Sequence, residues 1–217
     1  MGTVSVNKLG GLSLAIGPVL ALIFYFLQPG GPIVDTADPA NAAATIGAMV
    51  ANSTLVHVVG FLIPIGLLMF LYGILALTAS IRGNGNGDAL ARYCNILAFM
   101  SVMAWMIGIG FSHVIASGDA GTAAGALYAA SLGIGTMASA LFGIAILLLS
   151  LGLSTRDDCN KMFALVIAAV SVVSIVAAVV GGMDSSQLQT MGTVSGICYI
   201  VTTIWFITIA MNMIKKS

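Results

Sequence analysis

Six long apolar runs separated by short polar segments make up nearly the whole chain, and each is long enough to cross a bilayer as a helix. They read as roughly 9–28, 53–81, 93–116, 121–153, 160–182 and 190–214. Paired in order, they form three out-and-back hairpins, 9–81, 93–153 and 160–214, in a single transmembrane domain spanning 1–217. The second and fourth runs exceed the minimum for a span, which allows tilt or an interfacial extension. The expected fold is therefore an all-α polytopic membrane protein of six transmembrane helices.

The polar segment after the first run has structure of its own. Asp38-Pro39 supplies an N-cap and a residue suited to the first helical position, and Ala40 to Ala51 are good helix formers apart from Gly47. A short surface helix over about 39–51, lying across the outer mouth, is expected. Asn52-Ser53-Thr54 matches a glycosylation sequon, but its position at the membrane entrance reads as the N-cap of the second span. Pro18 and Pro64, inside the first and second runs, should kink or locally unwind those helices.

Composition sharpens the membrane reading. The chain is 59% hydrophobic and 6% charged, with a mean hydropathy of +1.11, so lipid must be the solvent for most of it. Charge then orients it. Lys8, Arg82, Arg92, Arg156, Lys161, Lys215 and Lys216 all flank one set of span ends, while the other set carries Asp35, Asp38, Asp119 and Asp184. Basic residues near span ends stay in the cytoplasm, which puts both termini inside. Lys8 before an apolar stretch resembles a signal peptide, but no small-x-small cleavage site follows directly, so a retained span is expected. Net charge is zero and the basic residues are scattered, which gives nucleic-acid binding no support. Cys94, Cys159 and Cys198 read as small apolar residues and not as a disulfide framework.

The second and third hairpins echo each other, which predicts an internal duplication. Cys94-Asn95 and Cys159-Asn160 open spans three and five, and Asp119 and Asp184 follow each cysteine at the same interval. In the returning spans, Gly121-Thr122 with Gly125 and Tyr128 matches Gly192-Thr193 with Gly196 and Tyr199. Small residues allow close helix approach in lipid, so Gly121, Gly125, Gly192 and Gly196 are the expected helix-packing positions.

The candidate chemistry is sparse. His57 and His113 each lie about a turn inside the outer end of their span, at a shared depth. Two imidazoles so placed could hold a haem b iron axially, or hold copper together with Met106, which lies two turns from His113 on nearly the same face. The competing reading is a pair of polar tips at the interface, with Met103 and Met106 as flexible packing. Trp105 and Trp205 lie well inside their spans and read as packing or cavity lining. The glycine-rich turn from Arg82 to Asp88 lacks the strand and the GK[ST] of a phosphate loop. Glu is absent, and no Asp, Lys or Arg falls in mid-span, which argues against ion-coupled transport. No HExxH, Ser-His-Asp set or carboxylate pair is present, which points away from an enzyme.

Gly10-Gly11-Leu12, Pro29-Gly30-Gly31, Ala37-Asp38-Pro39-Ala40, Leu55-Val56-His57 and Gly73-Ile74-Leu75-Ala76-Leu77 resemble segments of small uncharacterised prokaryotic multi-span membrane proteins. The resemblance covers about the first 80 residues and implies a prokaryotic cytoplasmic membrane, with no activity attached. Three functional expectations follow. The first is an accessory or scaffolding subunit that packs against other membrane chains or itself. The second is a passive pathway for a neutral solute, which predicts a Ser-, Thr- and Tyr-lined cavity reaching the bilayer middle. The third is the haem or copper electron-transfer module; no cofactor is required by the sequence.

Overall fold

In the computed structural model, which describes residues 4–83, 87–157 and 159–216, the apolar runs are helices: α1 (Val6–Phe26), α3 (Ser53–Ser80), α4 (Asp88–Ala116), α5 (Ala124–Ser154), α6 (Lys161–Met183) and α7 (Leu188–Lys215). Together with the short α2 (Ala42–Ala51) they make the chain all-α, and those six are long and apolar enough to span a membrane. The chain is an integral, multi-pass membrane protein. Asn84, Gly85 and Asn86, the middle of the glycine-rich turn, lie outside the described residues.

Local polar chemistry sets the helix limits. Ser5 caps α1 by accepting a hydrogen bond from the Lys8 N–H (3.1 Å), so the helix starts before its apolar run. It stops at Phe26 because Gln28 precedes Pro29, a position that disfavours helical backbone. At α4 the helix begins at Asp88, which forms a 2.8 Å ion pair with Arg92 one turn on. For α2 the cap is Asn41 and not Asp38. Asn41 accepts from the Ala44 N–H (3.1 Å), while Asp38 closes a tight turn by accepting from the Ala40 N–H (2.9 Å). Two good caps compete here, and the one nearer the apolar run wins. Asn52, expected to cap α3, makes no such bond; its amide donates to Asp35 and to the Ala48 carbonyl.

The spanning helices form a closed ring. Each packs on its neighbours in the order α1, α3, α4, α5, α6, α7, and α7 returns to α1. The α1 and α3 crossing is the closest. A methyl group on Gly17 would stand 2.5 Å from the Phe70 nitrogen, and one on Gly66 would stand 2.7 Å from the Ala21 nitrogen. Backbone thus lies on backbone, the contact that small residues permit in lipid. Both helices continue through their prolines, and Pro64 has no N–H to give the Gly60 carbonyl.

The expected packing glycines behave differently. Added methyl groups on Gly121, Gly125 and Gly192 would meet nothing within 4 Å, and one on Gly196 would touch only the Phe26 ring at 3.9 Å. These four do not hold helices of this chain together. Gly10, Gly17, Gly66, Gly73 and Gly143 do, each facing a neighbouring helix at closer than van der Waals range. Likewise, the paired Cys-Asn marks do two different jobs. Asn160 caps α6 through the Phe163 N–H (3.0 Å), whereas Asn95 lies inside α4 and accepts from the Thr78 hydroxyl (2.9 Å).

Candidate functional site

The two ends of the ring differ in packing. Towards the basic end, Leu14, Ile74, Ala98, Leu149, Leu153 and Phe206 are buried in one continuous core. Towards the acidic end the helices part around a cavity of about 410 Å³, walled by all six spanning helices and by the segment before α2. That volume lies within the range of small-molecule sites. No Asp, Glu, Lys, Arg or His is among its lining residues.

Five rings form its floor. Phe70 of α3, Trp105 of α4, Phe142 of α5, and Tyr199 and Phe206 of α7 interlock through edge and tilted contacts with centroids 4.9 to 6.1 Å apart. By helical rise, Phe70, Phe142 and Phe206 lie about 25 Å below the acidic ends of α3, α5 and α7, and Trp105 and Tyr199 about 17 Å below those of α4 and α7. Aromatic edges and faces attract one another, so the cluster seals the cavity from the basic half.

The rim is built by the loop and α2. Gly30 has φ +80° and brings the Pro29-Gly30-Gly31 turn against Thr45 of α2, a conformation and an approach that a side chain would oppose. Met49 anchors α2 in a second buried cluster with Val56, Ile115 and Tyr128. Tyr128, in the cavity wall, donates from its hydroxyl to the Pro39 carbonyl (2.9 Å) and so ties α5 to the loop.

Several hydroxyls of the wall are already engaged with backbone. Ser112 and Ser131 both donate to the Gly108 carbonyl (3.5 and 3.2 Å), and Thr202 donates to Cys198 (2.8 Å). Among the described residues, two buried side-chain oxygens have no hydrogen-bond partner: Tyr199 Oη and Ser174 Oγ. Ser139, which lines the cavity, and Ser174, which does not, lie within side-chain hydrogen-bonding reach of the Tyr199 hydroxyl without completing a bond of full hydrogen-bond geometry.

The histidines lie elsewhere. His57 and His113 are brought together between α3 and α4 but do not line the cavity. Their Nδ1 atoms are 2.8 Å apart and the rings stack with centroids at 5.0 Å and an interplanar angle of 18°. One Nδ1 donates and the other accepts, so the pair shares a proton. An axial bis-imidazole iron needs its two nitrogens about 4 Å apart, twice a metal–nitrogen bond of ~2 Å. The Nε2 side of His113 is pressed on Gly60. Met106 packs against the main core cluster, and among the described residues no third His, Cys, Asp or Glu joins the pair.

The tryptophans divide as packing and lining: Trp205 is buried against Phe206, and Trp105 faces the cavity. Residue-by-residue reading passed over Tyr199, Ser139 and Ser174. The signal for the first was in the echo of Gly-Thr-x-x-Gly-x-x-Tyr, because Tyr128 and Tyr199 both reach the cavity wall. The chain matches no protein-family model, no curated protein and no solved structure.

Proposed function

We propose that this protein binds a small uncharged, mostly apolar molecule in the acidic-end cavity, as a receptor site or as the outward-facing station of a neutral-solute pathway in a prokaryotic cytoplasmic membrane. The observation that carries this reading is that no Asp, Glu, Lys, Arg or His is among the residues lining this ring-enclosed cavity. A charged ligand there would lose its hydration without a counter-charge, at a cost of several kcal/mol. By the positive-inside rule the cavity opens away from the cytoplasm. A role as accessory subunit has in its favour only the exposed Gly121, Gly125 and Gly192, and native mass spectrometry in mild detergent tests it. The haem reading is disfavoured by the Nδ1 to Nδ1 distance, and a Soret band in protein made with haem supplied would restore it.

The test is fluorescence titration of the neutral probe N-phenyl-1-naphthylamine into the full chain in nanodiscs. A saturable component of one probe per chain is expected above lipid partitioning. Gly135 lines the cavity and a methyl group there would meet nothing within 4 Å, so the side chain of Gly135→Leu starts into open space and should abolish that component. Gly133, two residues away, is exposed and equally open, so Gly133→Leu should leave binding unchanged. Equal probe binding in wild type and Gly135→Leu would remove the reading.

A further inference from the structure

We infer that the ligand carries one neutral hydrogen-bonding group, a hydroxyl or a carbonyl, that enters first and seats at the Tyr199 and Ser139 hydroxyls of the cavity wall, with its apolar body against the surrounding aromatic rings. This rests on the cavity being a binding site and specifies what it selects.

The common arrangement for buried hydroxyls here is a bond to a backbone carbonyl of their own helix. Ser101 donates to Leu97 (2.8 Å), Ser171 to Ile167 (2.8 Å) and Thr202 to Cys198 (2.8 Å). Ser174, one turn from Ser171 on α6, departs from it, and so does Tyr199 facing it from α7. A buried hydroxyl without a partner is destabilising, and in lipid no solvent reaches in from outside the ring to relieve it. The two hydroxyls lie at one place, beside cavity-wall Ser139, where three helices meet.

The chemistry of the spot fixes the class of group. Tyr199 can donate to a carbonyl or ether oxygen, and the Ser139 oxygen can accept from a hydroxyl. With no charged side chain in the wall, neither a carboxylate nor an ammonium is matched. Around the spot, the rings of Trp105 and Phe142 touch the Tyr199 ring at 6.1 and 6.0 Å, so a flat or cyclic apolar body is favoured over a strongly hydrated one. Selection follows from the asymmetry of such sites: they reject the analogue that leaves their polar groups unpaired more strongly than they reward extra apolar surface.

The experiment uses two flat probes of the same size, 1-naphthol and 1-methylnaphthalene, titrated at pH 7 into the full chain in nanodiscs, with Gly135→Leu as the partitioning blank. Wild type is expected to bind 1-naphthol about tenfold more tightly than 1-methylnaphthalene, the worth of one rescued buried hydrogen bond. Tyr199→Phe should erase that ratio while keeping 1-methylnaphthalene at or above its wild-type affinity, which also reports that the variant is folded. Ser139→Ala, a smaller change, should reduce the ratio in the same direction. If both probes bind wild type equally and Tyr199→Phe changes nothing, the polar seat is wrong while the cavity reading stands. If neither probe exceeds the Gly135→Leu blank, the cavity reading itself fails.

Discussion

Glycine has two opposite meanings in this chain, and each can be tested by one methyl group. At Gly66 the group would meet the Ala21 nitrogen at 2.7 Å and the Gly17 carbonyl at 2.8 Å, and backbone cannot step aside. Gly66→Ala is expected to destabilise the protein by about 1–3 kcal/mol, read as a lower midpoint of thermal unfolding in detergent. Gly47 lies in α2 with nothing within 4 Å. There Gly47→Ala should leave the midpoint unchanged or raise it, by up to ~1 kcal/mol of helix propensity. The reverse order of the two midpoints would refute this account of the packing. A sequence with 26 glycines cannot separate these cases, because the difference lies in which helix stands opposite, not in the residue or its neighbours. Asp184 offers a residue-scale test in pH. The Ser186 hydroxyl and backbone N–H both donate to its carboxylate (2.7 and 2.9 Å), holding its pKa below the ordinary value. A depressed folded-state pKa stabilises the Ser185–Gln187 turn above the unfolded value of about 3.9 and loses that contribution as pH falls through the folded value. Ser186→Ala should move the Asp184 carboxyl titration upward by NMR; an unmoved titration would contradict the hydrogen-bond assignment.

The helices themselves were legible because lipid leaves a single solution for each long apolar run, a helix that satisfies its own backbone. Their ends were less so. They depend on which of several polar residues wins a cap, as Asn41 over Asp38 for α2, and on ion pairs such as Asp88 with Arg92 that carry a helix past its apolar run. Because α2 bears on the rim of the cavity, its cap has a measurable role. Asn41→Ala should weaken α2 by about 1 kcal/mol and speed amide exchange in Ala42–Ala51 about fivefold. Asp38→Ala, which removes only the tight turn to Ala40, should have a smaller effect there. If Asp38→Ala had the larger effect, the capping assignment would be reversed. Tyr128 anchors the same rim from α5, so its replacement by Phe should loosen the loop at Pro39 without disturbing the spans.

At the scale of the molecule, the division is between a basic half filled by one continuous core and an acidic half opened around a cavity without charged side chains, with five rings between them. Apolar runs and charge placement revealed the membrane, the number of spans and the polarity of the ends. The cavity was not visible in them, because its hydroxyls come from separate helices and each taken alone is an ordinary Ser, Thr or Tyr in a span. Only the shared tyrosine of the fourth and sixth spans marked the place. For a passage through the molecule, the floor and the closely packed basic half would have to part, whereas a receptor site needs neither to move. The most direct test of the central claim is thiol labelling of Gly135→Cys, in a chain whose native cysteines are replaced by Ala, with N-ethylmaleimide added outside intact cells. Gly135→Cys should be labelled, and 1-naphthol should slow the reaction, while Gly133→Cys on the outer surface of α5 should react slowly and without protection. Labelling of Gly133→Cys alone, or of neither, would contradict an outward-opening binding cavity.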